Sequence, residues 1–204
     1  MNNDLLVDEL ISAEVLKTKN LVDAFRKIDR KDFVLLNDDE DTYCIDKNLK
    51  IGYGQTISEP IVVAFMLEIL DLKNSNKVLD IGSGSGYTTA LISQCIGKIG
   101  YVFGLEIVPA LVSFGQENIK KYEMYNAFIS RASYDVGIKR KKFDRILVCA
   151  SAPEMPMGLL AQLEDGGKMV LAIKKSIYLV EKKDGKVFEH RYADFDFEPL
   201  IIND

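Results

Sequence analysis

The sequence holds a single histidine, His190, among 204 residues, and only three cysteines, Cys44, Cys95 and Cys149. One imidazole cannot build a histidine-rich metal site and leaves little material for a serine–histidine–aspartate triad. The cysteines are odd in number, far apart and without a C-x-x-C pair, so no disulfide framework is expected, and reduced thiols suit a cytoplasm. No charged-then-apolar leader opens the sequence, and no apolar run approaches the roughly 20 residues of a membrane span. Positive charge is not concentrated: 26 basic residues face 31 acidic ones, for a net charge of -5. The longest basic run, Lys139 to Lys142, reads as a solvated loop. Phosphate neutralisation needs a clustered cationic surface, so neither a nucleic-acid partner nor a membrane is expected. Repeats, low-complexity tracts and obvious linkers are also missing. The expectation is a soluble, cytoplasmic, monomeric protein forming one domain over residues 1–204.

Hydrophobic residues make up 48% of the chain, enough to build a substantial core. Residues 4–17 and 20–29 read as helices; in the first, Leu6, Leu10, Ala13 and Leu16 recur at helical spacing. Asp38 to Asp41 reads as an acidic loop, and Gly52 and Gly54 give backbone freedom to 48–58. A largely apolar helix is predicted over 60–70. After residue 76 the pattern alternates. Strands are predicted over 77–81, 101–106, 127–130, 145–150 and 168–173, and helices over 87–96, 109–122 and 156–163. Asp184-Gly185 between the strand-like runs 176–181 and 187–192 signals a hairpin. The fold class is therefore α/β: a Rossmann-like, doubly wound, mostly parallel sheet with helices on both faces and a C-terminal antiparallel hairpin. Within it, 1–75 form a helical, substrate-side region, 76–175 a cofactor-binding core and 176–204 the terminal strands.

The strongest local signal is Val78-Leu79-Asp80-Ile81-Gly82-Ser83-Gly84-Ser85-Gly86-Tyr87. An apolar strand runs into three alternating glycines and then a helix, whose N-terminus offers unpaired N–H groups. The spacing is G-x-G-x-G, not the dinucleotide G-x-G-x-x-G. Glu106 ends the next strand, about 20 residues on, where a carboxylate can accept from both ribose hydroxyls and repel a 2′-phosphate. Asp80 would face dinucleotide phosphates unfavourably but suits a cationic methionine moiety carrying a sulfonium and an amino group. Together these residues look like the cofactor half of the Rossmann-like methyltransferases. The bland alternative is a glycine-rich turn with surface carboxylates.

A second segment lies upstream. Ile51-Gly52-Tyr53-Gly54-Gln55-Thr56-Ile57-Ser58-Glu59-Pro60 closely resembles the G-x-G-Q-T-I-S-x-P segment of the protein-L-isoaspartate O-methyltransferase family. Further similarities follow along nearly the whole chain. They are Arg30-Lys31-Asp32-Phe33-Val34 (R-x-x-F-V), Phe143-Asp144-Arg145-Ile146 (F-D-x-I), the small-residue segment Ala150 to Pro156, Gln162 to Gly167 (Q-L-x-x-G-G) and Phe197-Glu198-Pro199-Leu200. The resemblance implies transfer of a methyl group from S-adenosyl-L-methionine to the α-carboxyl of L-isoaspartyl residues in damaged proteins, whose ester then collapses to a succinimide. It places Ser58 at the catalytic position, and Thr56, Ile57, Asp80, Gly82, Ser83, Gly84, Gly86 and Glu106 at cofactor positions. Ala132 and Ser133 stand where the family has an aspartate at the adenine end, with Asp135 as a nearby substitute. Ala172-Ile173-Lys174 replaces the family's P-x-G, and Val62-Val63 occupy positions where some members carry histidine.

The implied acceptor is a carboxylate, ionised at neutral pH, so no general base is needed. Ser58 would donate a hydrogen bond to it and aim it; the competing reading is an N-cap of the helix that follows. His190 reads as structural or exposed, and the cysteines as core or strand residues. Amino-methylation of nucleic acid would call for an Asn/Asp-Pro-Pro-aromatic segment, where this chain has Cys149-Ala150-Ser151-Ala152-Pro153. Two further alternatives are a family member acting on another carboxylate and a non-catalytic binder.

Overall fold

A computed structural model of the chain describes residues 2–35, 41–133 and 136–193. Asp135, the acidic stretch 38–40 and the closing segment Phe197 to Leu200 lie outside the described residues.

The chain opens with α1 (Asn3–Ser12), capped by Asn2, whose side chain accepts from the Leu5 N–H at 3.0 Å. The helix expected to reach residue 17 stops at Ser12. Glu14 takes a left-handed conformation (φ 57°), and the N–H groups of Val15 and Leu16 both donate to the Leu10 carbonyl. Leu16 is nonetheless fully buried, so its helical spacing reports core packing after the chain has turned. The helix predicted over 20–29 is α2 (Lys19–Lys27), and a 3₁₀ turn (Arg30–Phe33) follows it. The glycine-bearing segment forms an antiparallel pair, β1 (Leu49–Gly52) and β2 (Gln55–Ile57). Then comes α3 (Pro60–Leu70), with proline in its first turn and seven buried residues that pack it on both flanks.

The remaining elements alternate as expected: β3 (Lys77–Ile81), α4 (Tyr87–Ile96), β4 (Tyr101–Glu106), α5 (Pro109–Lys120), β5 (Ala127–Arg131), β6 (Phe143–Ala152), α6 (Met157–Leu160), β7 (Leu163–Ile173), β8 (Ser176–Lys183) and β9 (Lys186–Ala193). Two expectations change in extent. The helix predicted over 156–163 is one turn, and β7 starts at Leu163, running through Gly166-Gly167. The strand order is β5-β4-β3-β6-β7-β8-β9, parallel through β7 and antiparallel at β8 and β9. The terminal hairpin turns on Asp184 (φ 51°) and Gly185 (φ 71°), as a primed turn demands. Asp165 holds that turn by accepting from the Gly185 N–H at 2.9 Å.

Alternate residues of each strand enter two apolar clusters. Val78, Val102, Ile129, Leu147 and Val170 join the helices α1 to α5 on one face. Leu79, Ile146, Val148, Met169 and Leu171 pack on the other with Leu159 of α6 and with Val136, Ile138 and Met155. The second face is thus covered mainly by connecting segments. No helix among the described residues is long and apolar enough to cross a membrane.

The strand order reverses beside β3, so the connections leaving β3 and β6 diverge there and open a crevice at their C-terminal ends, the usual ligand position in such sheets. Gly86 bridges the crevice to the packing of α4 on α5. Its φ is 92°, and a Cβ there would lie 2.9 Å from Ile129 Cδ1 and 3.2 Å from the Gly115 carbonyl oxygen. Gly86→Ala combines left-handed strain with overpacking and should destabilise the fold by roughly 2–4 kcal/mol in urea denaturation; an unchanged midpoint would contradict this packing.

Candidate active site

The crevice encloses about 270 Å³. One wall is the loop after β3, with Gly82, Ser83 and Gly84; the opposite wall is Gln55, Thr56, Ile57 and Ser58 from β2 and its exit. Glu106 and Ile107 at the end of β4, Ala132 and Ser133 after β5, and Cys149 and Ala150 in β6 complete it with the first turn of α3.

The glycine loop is held by its own backbone. The Gly82 and Ser83 N–H groups donate to the Leu105 carbonyl at 2.9 and 3.2 Å, and the Gly86 N–H donates to the Ser83 carbonyl at 2.8 Å. Gly84 (φ 52°) is where the upstream segment comes closest: a Cβ there would lie 3.1 Å from Ile51 Cδ1. Glu106 is buried and fixes the same loop, its Oε2 accepting from the Gly84 N–H and its Oε1 from the Val108 N–H, both at 2.9 Å. Each oxygen keeps a lone-pair site for a further donor. Ala132 is drawn alongside by its N–H, which donates to the Glu106 carbonyl at 2.8 Å.

Of the residues singled out from sequence, Thr56, Ile57, Ser58, Gly82, Ser83, Gly84, Glu106, Ala132 and Ser133 line this one crevice. Asp80 and Gly86 stand behind its wall. Asp80 is completely buried, and its Oδ2 accepts from the hydroxyls of Thr88 and Thr89, each at 2.7 Å. Its Oδ1 has no partner among the described residues, and neither does the buried Ser83 hydroxyl. Thr88 lines the crevice, so Asp80 reaches it through this hydroxyl. The reading of the carboxylates as surface groups therefore fails: neither Asp80 nor Glu106 is exposed. Burial raises the Asp80 carboxyl to about 6, against the two threonine hydrogen bonds and with a smaller push from Glu106.

The N-cap reading of Ser58 fails too. The cap position of α3 is Glu59, without a side-chain capping bond, and Ser58 precedes it on the crevice wall. Its carbonyl accepts from Arg30 Nη1 at 2.8 Å. His190 lies on exposed β9, its Nε2 3.7 Å from Glu181, away from the crevice. Cys95 is a core residue, whereas Cys149 lines the crevice, with its thiol raised well above the ordinary range by burial. Three participants escaped the residue-level reading. Thr88 was visible only as part of a predicted helix, Tyr87 only as the end of the glycine motif, and Arg30 only as part of R-x-x-F-V. No lysine, arginine or histidine lines the crevice among the described residues, while Glu59 and Glu106 do. No group of three or more potential ligands among them is placed to hold a metal ion.

A switch-point crevice with a three-glycine loop, a carboxylate at the end of the neighbouring strand and an acidic lining defines the class: a Rossmann-like methyltransferase. The model of the protein-L-isoaspartate(D-aspartate) O-methyltransferase family matches residues 1–203. A Methanopyrus kandleri protein-L-isoaspartate O-methyltransferase is 38% identical, covering 96% of this chain and 89% of that one. One from Fervidobacterium nodosum is 35% identical, covering 90% and 94%. A Plasmodium falciparum structure, described as a protein-L-isoaspartate O-methyltransferase in complex with S-adenosyl-L-homocysteine, superposes with a TM-score of 0.88 at 31% identity, covering 100% of both chains. The chain belongs to the protein-L-isoaspartate(D-aspartate) O-methyltransferase family.

The buried carboxyl has a consequence for stability. The folded Asp80 carboxyl sits near 6 against an ordinary 3.8. The folded state therefore binds its proton more tightly than the unfolded chain, and this group's contribution falls as pH rises from about 4 to about 6, by roughly 3 kcal/mol. Asp80→Asn keeps an acceptor for the two threonines and removes the titration. The variant should gain stability relative to wild type across that window in urea titrations at pH 4 and pH 7. A difference independent of pH would contradict the assignment.

Proposed function

We infer that the protein transfers a methyl group from S-adenosyl-L-methionine to the α-carboxylate of L-isoaspartyl residues in damaged proteins and peptides. The observation that carries this reading is that Ser58, on the family-specific segment, and the glycine loop with Glu106 face one crevice.

The residues present fit the cofactor. Glu106 has spare lone pairs for a ribose diol, and the glycine loop lets a nucleoside approach the backbone closely. The unpartnered Ser83 hydroxyl and Asp80 Oδ1 are polar groups suited to a methionine amino group, with Thr88 as the relay from Asp80. The acidic lining favours a cation over a pyrophosphate. Thr56, Ile57, Gly82, Gly84, Ala132 and Ser133 would form the walls, with the last two at the adenine end; Gly86 would act by seating α4.

S-adenosyl-L-methionine, when bound, would supply a methyl on a sulfonium sulfur to an acceptor carboxylate oxygen, with S-adenosylhomocysteine as the leaving group. The chain supplies alignment and exclusion of water. Ser58 donates its hydroxyl hydrogen to the acceptor carboxylate and so restricts its approach. It is not a nucleophile, since no histidine stands beside it. Val62 and Val63 present apolar groups that displace water from the same end. The reading is completed by a monomer in a reducing cytoplasm, which cysteines that form no disulfide fit.

A synthetic isoaspartyl peptide should accept methyl groups while its aspartyl twin does not; equal labelling of both would redirect the reading to another carboxylate. Ser58→Ala should lower kcat about tenfold or more, with the Kd of S-adenosylhomocysteine nearly unchanged in calorimetry. Full turnover in that variant would remove Ser58 from the chemistry.

A further inference from the structure

Arg30 is fully buried, yet no carboxylate among the described residues forms an ion pair with it. Its guanidinium is answered by backbone: Nη1 donates to the Ser58 carbonyl at 2.8 Å and Nη2 to the Lys47 carbonyl at 2.9 Å. Nε has no partner. The guanidinium carbon lies 5.7 Å from the centre of the Tyr87 ring. Burying a cation on such terms carries a desolvation cost that an apolar side chain of similar volume would avoid. The placement needs a reason beyond filling space.

Topology supplies one. Lys47 precedes β1 and Ser58 follows β2, so the two arms of one planar fork grip both ends of the hairpin that forms the acceptor-side wall. Beneath the fork, Tyr87 is the first residue of α4, directly after the glycine loop. One side chain therefore ties the Ser58 segment to the donor-side loop. The 3₁₀ turn carrying Arg30 is itself braced. Tyr122 donates its hydroxyl hydrogen to Asp32 Oδ2 at 2.6 Å and accepts from the Asp29 N–H at 3.0 Å, while Tyr43 donates to Asp29 Oδ1 at 3.0 Å. Phe33 stacks on Tyr122 with ring centroids 5.9 Å apart.

We propose that Arg30 is a positioning residue for methyl transfer, holding the carbonyls of Lys47 and Ser58 over Tyr87 so that the Ser58 hydroxyl is fixed relative to the glycine loop. The proposal rests on the function inferred above. It differs from a general stability role because it acts through one hydroxyl.

A double-mutant cycle tests it. Arg30→Met and Arg30→Lys are made alone and in Ser58→Ala, and kcat is measured on the isoaspartyl peptide below each variant's unfolding temperature. Alone, Arg30→Met should lower kcat about tenfold or more, and Arg30→Lys, which can serve one carbonyl but not both, should retain part of the rate. In Ser58→Ala the same changes should cost less than about twofold, because the hydroxyl they aim is gone. Equal losses in both backgrounds would overturn the proposal. Should Arg30→Met fail to fold, the Arg30→Lys cycle decides alone. A wild type inactive on the isoaspartyl peptide would defeat the inferred function and leave the clamp to amide hydrogen exchange. Residues 47–61 should then exchange faster in Arg30→Lys while β3 and β6 do not, and unchanged exchange there would overturn the clamp.

Discussion

The close approach of Ile51 to Gly84 is the contact on which the site depends. A single added carbon at Gly84 would stand 3.1 Å from the Ile51 methyl, tighter than an ordinary contact, so the hairpin and the glycine loop pack closest where this position has no side chain. The contact turns two segments more than 20 residues apart into opposite walls of one crevice. The parallel sheet provides the loop and Glu106, and α3 provides the platform from which the hairpin reaches over them. Neither half alone encloses a volume in which two reactants can be aligned and kept from water.

The polar groups behind these walls are arranged at the expense of stability. Asp80 is sealed under α4 with one oxygen served by two threonines and the other by no group among the described residues. Arg30 is sealed under the hairpin with one nitrogen unserved among the described residues, and burial lowers it to about 10, opposed by Tyr87 and Glu59, which leaves it charged at neutral pH. Each is an imperfectly compensated charge in a low-dielectric setting, the kind of group a fold selected for stability alone would replace. Both lie within one residue layer of the crevice, one on the donor side and one on the acceptor side. The placement fits a site in which fixed dipoles and charges stand ready before the reactants arrive.

Much of this was legible beforehand, for identifiable reasons. Strand β3 declared itself because Val78 is buried on one face of the central strand and Leu79 and Ile81 on the other, leaving a run that is apolar but for Asp80. The site residues were legible because two dense motifs carry most of them. The first helix was read too long because Leu16 serves the core from a turn, and apolar spacing cannot distinguish the two. The β1–β2 pair was missed as strands because each has four residues or fewer and glycines interrupt them. The start of β7 was hidden by Gly166-Gly167, which reads locally as a turn. The environments of Asp80 and Arg30 were not legible, because the groups that answer them come from a helix hydroxyl pair in one case and from distant carbonyls in the other.

The central claim is that donor and acceptor meet in this crevice, between the glycine loop and Ser58. The most direct measurement is a crystal structure of the protein with S-adenosylhomocysteine and an isoaspartyl peptide. The ribose should lie on Glu106, and the peptide's α-carboxylate should lie within about 3.2 Å of the Ser58 hydroxyl and face the sulfur. A nucleoside bound elsewhere, or a peptide carboxylate held away from Ser58 on the far side of the hairpin, would contradict the account.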